Sequence, residues 1–346
     1  MGNDDRFFRY VRGFLTVFLP KNKCYSTNTT KAYRDTLNLF RKFLSEEKGI
    51  PFTKITFERI NHELIYEFLA WLQNARHCGP STKNLRLAAL KSFFHYCSME
   101  DSTLMAIYMN VLEVSPQRVV RNRVEYMSEA ALKTILEQPN PNTRRGLRDR
   151  FFMILMYDTG ARIQEILDLK LKDLHLKDPT PCIYLTGKGN KTRAVPLMDK
   201  TIAHLNEYLK IFHLDGFKEN DHYLFYTTIK GQTGKMSEDN VSCFLKRYAK
   251  LAHQGCSEVP LQMHAHLFRH TRAMHLYQSG IPLSYIKDFL GHVSVNTTDI
   301  YASTDTSMMR AALEKISKGD DNHSPKEKPV WQDNDELILK LCGLTG

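Results

Sequence analysis

Hydrophobic residues recur at helical spacing through roughly the first 110 residues of the chain. In "TNTTKAYRDTLNLFRKFLSEE" the apolar positions, among them Leu37, Phe40 and Leu44, follow a run of Ser, Thr and Asn capping candidates. "NHELIYEFLAWLQNA" repeats the pattern, and "STKNLRLAALKSFFHYC" starts after a Gly-Pro break. The aromatic-rich segment 6–19 is expected to pack in a core rather than to stack on bases. The pattern predicts a helical region.

The pattern changes at residues 113–124, "EVSPQRVVRNRV", where arginines and a proline with little periodicity predict an exposed linker. Helix signals resume at "MSEAALKTILEQ", followed by two helices broken at Thr159-Gly160 and by a hairpin in "PCIYLTGKGNKTRAVPL". The chain is expected to be mostly helical from there to about residue 316. "SKGDDNHSPKEKP" then predicts a flexible segment, and "VWQDNDELILKLCGL" a short amphipathic helix.

These patterns predict a mainly α protein with a small β-sheet, organised in two domains. The expected limits are a helical domain over 1–112, a linker over 113–124, an α+β domain over 125–319, and a tail over 320–346 that carries the short helix.

Charge favours a polyanionic partner. The 346 residues carry a net charge of +10, and the first 124 hold 19 basic against 11 acidic residues. This is the balance expected of a surface that contacts a phosphate backbone, although a solvated basic surface is the alternative. The candidate DNA contacts in this region are Lys83, Arg86, Lys91, Arg121 and Arg123.

Seven scattered cysteines without a Cys-x-x-Cys pair argue against a disulfide framework and fit a reducing cytoplasm. Arginines at positions 6, 9 and 12 interrupt the apolar run near the start, which argues against a signal peptide. No segment reaches the roughly 18–20 apolar residues that span a bilayer. A soluble, cytoplasmic protein without a membrane partner is expected.

Three segments of the second region offer basic side chains without matching carboxylates. His266 and Arg269 lie three residues apart, on one face of a helix. Arg162 follows a glycine break, and Lys188 lies in "TGKGNKT" at a Gly-flanked turn between two strands. Such a set suits a phosphodiester under attack, because arginine forks bind its oxygens and histidine or lysine moves protons. A tyrosine can be the covalent nucleophile, and neither a metal nor another cofactor is expected.

The segments "TGARIQEILDLK", "TGKGNKTRAVPL", "HLFRHTRAMHL" and "LGHVSVNTTDIY" closely resemble the boxes of tyrosine site-specific recombinases of the phage integrase and Xer type. Their order and spacing match, including the nine-residue step from His292 to Tyr301. The resemblance extends from roughly residue 6 to 316, and its first part resembles the helical, SAM-like core-binding domain. Two positions depart from the family pattern: Ala265 stands where proline is frequent, and Ala161 where leucine is common.

The resemblance implies a role for each residue of the set. These roles are phosphate binding by Arg162 and Arg269, proton transfer and phosphate contact by His266, proton donation to the leaving 5′-oxygen by Lys188, phosphate contact by His292, attack by Tyr301 to form a 3′-phosphotyrosine, and support of the site by Glu165. Zinc binding by the histidines is disfavoured, because no cysteine or carboxylate stands at ligand spacing. His264, His270 and His275 are expected to be structural or surface residues.

The resemblance also implies a C-shaped clamp of two domains around double-stranded DNA. A homo-tetramer would act on two inverted-repeat core sites, associated with the nucleoid. The helix over 306–316 would dock on a neighbouring protomer, with docking on its own protomer as the alternative. The expected role is integration, excision or transposition of a mobile element, or Xer-like resolution. Two alternatives stay open: a type IB topoisomerase-like DNA relaxing enzyme and a catalytically silent DNA-binding regulator.

Overall fold

The computed structural model describes residues 5–119, 124–187, 189–214 and 221–291 of the chain. Several side chains and segments discussed above lie outside these ranges: Arg121, Arg123, Lys188, His292, Tyr301, 306–316 and 320–346. The chain divides into two compact units, Met1–Arg121 and Asn122–Gly346, called unit 1 and unit 2 below. Among the helices in the described ranges, none has both the length and the apolar character that a bilayer-spanning segment requires.

Unit 1 is built from helices, two of which start at a side-chain cap. They are α1 (Arg6–Gly13), which continues into a π-helical segment (Phe14–Asn22), α2 (Thr27–Glu46), α3 (His62–Asn74), α4 (Pro80–Glu100) and α5 (Met105–Glu113). Ser26 Oγ accepts a hydrogen bond from the Thr29 N–H at the start of α2 (3.2 Å), and Asn61 Oδ1 accepts one from the Leu64 N–H at the start of α3 (2.9 Å). The helical prediction for this region is confirmed.

Aromatic rings fill the core of unit 1. Phe14 meets Phe93 edge to face with ring centroids 5.4 Å apart, a favourable geometry for two quadrupoles. Phe7 and Phe18 of the segment 6–19 are buried with it, so the expectation that this segment packs is confirmed. The other fully buried rings of this core include Phe40, Phe43, Phe57, Phe68 and Phe94.

The basic residues of α4 are engaged inside unit 1. Lys83 is 2% exposed, and its Nζ donates to Gln73 of α3. Arg86 Nη1 donates to two oxygen atoms of α2, at 2.9 and 3.2 Å, and Lys91 Nζ donates to a backbone carbonyl of α5 (3.0 Å). Each side chain therefore joins α4 to a neighbouring helix, and contact with DNA stays a prediction for all three.

Unit 2 combines helices with two small antiparallel sheets. Its helices are α6 (Glu129–Glu137), α7 (Arg144–Thr159), α8 (Ile163–Leu167), α9 (Asp199–Phe212), α10 (Glu238–Gly255), α11 (Ala265–Gln278) and α12 (Leu283–Leu290). Helix α7 packs against α6, α9 and α11. Phe151 and Phe152 of α7 are 1% exposed and lie in a core shared with the sheet residues Ile183 and Val195. The prediction of a mainly α protein with a small sheet is confirmed.

The larger sheet has the order β1 (Leu174–His175), β2 (Cys182–Thr186), β3 (Thr192–Pro196), all antiparallel. Ile183 pairs with Val195 and Leu185 with Arg193, so these residues point to one face, which the core covers. The hairpin predicted in residues 181–197 is therefore confirmed. A second hairpin, β4 (Tyr226–Ile229) with β5 (Gln232–Lys235), was not predicted.

The break predicted at Thr159-Gly160 is confirmed as the end of α7. Gly160 has a left-handed backbone (φ 56°), which favours glycine. A Cβ at this position would also lie 2.8 Å from Leu290 Cδ2. The break lets the chain turn from α7 into α8 directly beneath the end of α12.

Arg86→Ala is expected to destabilise unit 1, because the oxygens of Thr36 and Ala32 in α2 lose their guanidinium donor. The expected loss is about 1–3 kcal/mol in the free energy of unfolding. Urea unfolding followed by fluorescence measures it, with Lys31→Ala, at an exposed position of α2, as the control for loss of a positive charge. Unchanged stability combined with weaker DNA binding would instead favour a DNA contact for Arg86.

Candidate active site

Arg162 lies at the start of α8, just after the left-handed Gly160, with extended backbone angles (φ −74°, ψ 148°). Its N–H donates to Glu165 Oε2 (2.8 Å), and its Nη1 donates to Glu165 Oε1 (2.8 Å). One carboxylate therefore fixes both the main chain and the side chain of Arg162. The side chain remains 32% exposed, so it is held in place but accessible.

Glu165 is almost completely buried, with 3% of its side chain exposed. Arg193 makes a two-point contact with it, Nη1 to Oε1 at 3.0 Å and Nη2 to Oε2 at 2.8 Å. Burial alone would raise the pKa of Glu165. The hydrogen bonds and charge of Arg193, together with the hydrogen bonds of Arg162, outweigh burial and lower this pKa to about 2. Glu165 is therefore a carboxylate at any physiological pH.

Sequence reasoning missed Arg193, although it lies in one of the motif segments. A signal was present in the strand pattern. Arg193 is two residues from Val195 on β3 and opposite Leu185 on β2, so it occupies the face of the strand that the core covers. An arginine in such a position needs a buried acceptor, and Glu165 is that acceptor.

Arg269 comes from α11 and is 2% exposed. Its Nη1 donates to the carbonyl of Gly160 (2.7 Å), and its Nη2 to the carbonyl of Leu290 (2.8 Å). The side chain thus connects the end of α7 with the end of α12. Both carbonyls are neutral acceptors, so these two contacts leave the positive charge of the guanidinium intact.

The last carbonyls of α12 accept hydrogen bonds from three different arginines. The pairs are Arg193 Nε to Phe289 O (3.0 Å), Arg269 Nη2 to Leu290 O (2.8 Å), and Arg162 Nη2 to Gly291 O (3.2 Å). Carbonyls at a helix C-terminus lack intrahelical partners and carry partial negative charge, which the guanidinium groups match. Arg162 and Arg269, distant in sequence, therefore bind the carbonyls of two consecutive residues, Gly291 and Leu290, at the end of α12.

Gly291 is required at this meeting point for two reasons. Its backbone is left-handed (φ 65°), and a Cβ would lie 3.0–3.2 Å from guanidinium and side-chain atoms of Arg193. A side chain at this position would push Arg193 away from the helix end.

His266 lies one turn before Arg269 on α11. The residue is exposed at the protein surface, yet desolvation of its ring by the surrounding protein lowers its pKa. The positive charges of Arg269 and Arg162 and the neighbouring His264 also lower this pKa, whereas Glu238 raises it. The imidazole is therefore neutral near pH 7 and able to accept a proton beside two arginines.

The turn between β2 and β3 lies against Glu165. Gly189 and Asn190 are left-handed (φ 78° and 58°), and the Asn190 N–H donates to the Gly187 carbonyl (3.2 Å). A Cβ on Gly187 would lie 2.8 Å from Glu165 Oε1, so only glycine lets the turn approach this closely. Lys188 follows Gly187 in the chain and lies outside the described residues.

The other histidines have different surroundings. His275 bonds to Tyr157 Oη (2.9 Å) and to the carbonyl of Met127 (3.0 Å), which confirms the expected structural role. His264 is exposed at the start of α11. Within the described ranges, no group of three or more His, Cys, Asp or Glu side chains is placed to hold a metal ion.

Two family models match this chain, one over each unit. The phage integrase family matches residues 125–308, and the N-terminal SAM-like domain of phage integrases matches residues 13–101. This chain belongs to the phage integrase family.

Individual relatives agree with this membership. A protein of Sinorhizobium fredii, y4rC, whose name places it among integrases and recombinases, is 30% identical over 308 residues, 89% of this chain and 90% of the relative. The tyrosine recombinase XerC of Staphylococcus haemolyticus is 26% identical over 292 residues, 84% of this chain and 91% of that protein. A crystal structure of the XerH site-specific recombinase on a palindromic difH substrate, a post-cleavage complex, shares the fold (TM-score 0.64, 22% identity, 92% of both chains).

The prediction of a tyrosine recombinase, an enzyme of site-specific recombination, is confirmed by this membership, and neither alternative function is favoured. The two departures from the family pattern fit the recombinase fold. Ala265 is the first residue of α11, where proline is favoured but any good helix former fits. Ala161 is fully buried in the core of unit 2.

Acid is expected to destabilise this recombinase in two pH ranges. Burial, His266, Arg269 and His264 lower the pKa of His270 to about 4, whereas an unfolded histidine titrates near ~6.5. Between these values only the unfolded chain binds the proton, so stability falls as pH decreases from about 6.5 toward 4. Glu165 has its pKa lowered to about 2, so its stabilisation is present above pH ~4.5 and is lost as pH falls toward 2.

Melting temperatures from calorimetry at several pH values test this expectation. His270→Gln should reduce the loss between about pH 6.5 and 4 and keep the loss at lower pH. An unchanged slope in His270→Gln would contradict the assignment.

Proposed function

We propose that this recombinase cleaves and rejoins double-stranded DNA by attack of Tyr301 on a phosphodiester, with Arg162 and Arg269 binding the scissile phosphate. The observation that carries the proposal is the meeting of these two arginines at the end of α12, immediately before the segment that contains His292 and Tyr301. The role of each site residue is part of this proposal.

Charge supports phosphate as the ligand of this site. Arg162, Arg193 and Arg269 bring three positive charges. Glu165 contacts Arg162 and Arg193, whereas Arg269 donates to the carbonyls of Gly160 and Leu290. The transition state of phosphoryl transfer gathers negative charge on its non-bridging oxygens, which preorganised guanidinium groups stabilise. The arginines can stabilise the negative charge that a metal ion stabilises in other phosphoryl-transfer enzymes, and we propose no cofactor.

The proton transfers follow from the same geometry. The Tyr301 oxygen bonds to phosphorus while the bond from phosphorus to the 5′-oxygen breaks, which yields a 3′-phosphotyrosine. The phenol proton passes to a base, for which neutral His266 is the candidate, and Lys188 donates a proton to the leaving 5′-oxygen. His292 contacts a phosphate oxygen, and rejoining reverses these steps with a new 5′-hydroxyl as the nucleophile.

The working assembly belongs to the proposal as well. We expect a core-binding domain over 1–112 and a catalytic domain over 125–319, joined by 113–124, to clamp double-stranded DNA with inverted-repeat core sites. The basic excess of the first 124 residues supports contact with the phosphate backbone. We further expect a homo-tetramer in which 306–316 docks on a neighbour, acting on DNA at the nucleoid in the cytoplasm. Integration, transposition and Xer-like resolution all use this chemistry.

Tyr301→Phe is expected to bind its DNA site with wild-type affinity and to form no covalent adduct on a nicked suicide substrate. The reason is that phenylalanine keeps the ring but has no oxygen to attack phosphorus. Denaturing gel electrophoresis detects the adduct, and Tyr285→Phe, which alters an exposed tyrosine on α12, is the matched control. An adduct at normal yield in Tyr301→Phe would refute the nucleophile.

Lys188→Ala is expected to cleave normal DNA more slowly by about 100-fold or more, since a 5′-alkoxide leaves poorly without a proton donor. On DNA whose leaving 5′-oxygen is replaced by sulfur, the variant should cleave at nearly the wild-type rate. Single-turnover kinetics on both substrates make the comparison, with Lys191→Ala on the same turn as the control. Equal impairment on both substrates would make Lys188 a phosphate ligand and pass the donor role to His266.

A further inference from the structure

Arg193 engages all three of its guanidinium nitrogens within unit 2. Nη1 and Nη2 bind the two oxygens of Glu165, and Nε binds the carbonyl of Phe289. Its side chain is 15% exposed, half as much as that of Arg162. The geometry directs Arg193 toward the protein, whereas Arg162 retains an accessible surface.

We propose that Arg193 is a positioning residue for recombination: it holds Glu165 and the end of α12 so that Arg162 stays aligned and positively charged toward the scissile phosphate. The inference rests on the proposed function, because it assumes that Arg162 binds that phosphate.

Charge is the first argument. Glu165 contacts both Arg162 and Arg193, so its single negative charge is shared between two guanidinium groups. Without Arg193, Arg162 and Glu165 would form a neutral pair, and an incoming phosphate would meet a weaker attraction at Arg162. The positive charge of Arg193 therefore compensates the negative charge of Glu165, which aligns Arg162, and Arg162 keeps its attraction for phosphate.

Geometry is the second argument. Each oxygen of Glu165 accepts two hydrogen bonds, one from Arg162 and one from Arg193. Loss of Arg193 would leave a buried carboxylate half satisfied and free to rotate, and the main chain of Arg162 depends on one of its oxygens. The contact with Phe289 extends the same constraint to the helix end that leads toward Tyr301.

A purely structural ion pair is the competing explanation, and unit 2 contains a matched example. Arg148 is 17% exposed and donates from Nε (3.0 Å) and Nη2 (2.7 Å) to Asp149, whose side chain is completely buried. The pair lies near the start of α7, about 18 Å along the helix from Gly160. Arg148→Gln therefore removes a similar buried contact without touching the site.

The test compares Arg193→Gln, Arg193→Lys and Arg148→Gln in the full chain, below the melting temperature of each. Cleavage is followed in single turnovers on a suicide substrate at saturating protein, and DNA affinity is measured separately. Arg193→Gln should bind DNA within about threefold of wild type and cleave about 100-fold more slowly, the typical effect of a small misplacement. Arg193→Lys should recover part of the rate, because it restores charge without the two-point contact. Arg148→Gln should melt earlier and cleave like the wild type.

The pH profile adds a readout that a structural role would not move. Arg193 and Arg162 are the charged groups that hold the pKa of Glu165 low, so in Arg193→Gln that pKa should rise and cleavage should fall further as pH decreases from 8 to 5.5. Adding Glu165→Gln should remove this extra acid dependence.

Three outcomes separate the possibilities. Cleavage at the wild-type rate by Arg193→Gln would overturn the inference. The inference would also be overturned if Arg193→Gln reduced the cleavage rate no more than Arg148→Gln does and had the pH profile of the wild type. If Arg193→Gln does not fold, the same comparison is made with Arg193→Lys. Absence of an adduct from the wild-type protein would refute the proposed function itself.

Discussion

The described part of the site depends on one buried negative charge. A carboxylate as deeply buried as Glu165 is stable only when hydrogen-bond donors surround it, and four N–H donors from two arginines do so. Satisfying Glu165 sets the start of α8, fixes β3 against α8, and brings the β2–β3 turn close enough that Gly187 must lack a side chain. The hydrogen bonds that Glu165 requires therefore fix the relative positions of the start of α8, strand β3 and the β2–β3 turn.

The end of α12 provides the second constraint. A helix that stops at a left-handed glycine leaves carbonyls without partners, and three arginines supply the missing donors. These contacts connect α8, β3 and α11 to the three residues before His292. Two of these three arginines, Arg162 and Arg269, are the ones that we assign to the phosphate, so the same side chains help to fix the position from which the chain continues toward Tyr301.

Much of this architecture could be predicted from the sequence because local rules govern it. Gly160 ends α7 since its backbone is left-handed, and the glycines of "TGKGNKT" form a turn between strands of alternating burial. The strand pattern places Arg193 on the covered face of β3, but its partner could not be predicted, because Glu165 is distant in sequence and only tertiary packing brings the two together. The hairpin β4–β5 was missed because "YTTIKGQTGK" has little apolar alternation.

The basic residues of α4 show the limit of reasoning from charge. Lys83 and Arg86 occupy positions that suit a DNA-facing helix, yet their donors are used between helices of unit 1. A basic residue on a helix has the same sequence signature whether it binds phosphate or a neighbouring helix, and only burial distinguishes the two.

The choice of partners explains how the site can be both rigid and strongly positive. Arg269 is buried and bound by the carbonyls of Gly160 and Leu290, which fix its position without neutralising its charge. A carboxylate in the same place would hold the arginine equally well and cancel the attraction for phosphate. The two carbonyl contacts of Arg269 do not reduce its charge, and Glu165 shares its single negative charge between Arg162 and Arg193, so these contacts together leave a net positive charge. The two carbonyls are available to Arg269 because α7 and α12 both end here. A change that unwinds either helix end should therefore weaken the phosphate binding that we propose, although every arginine is kept.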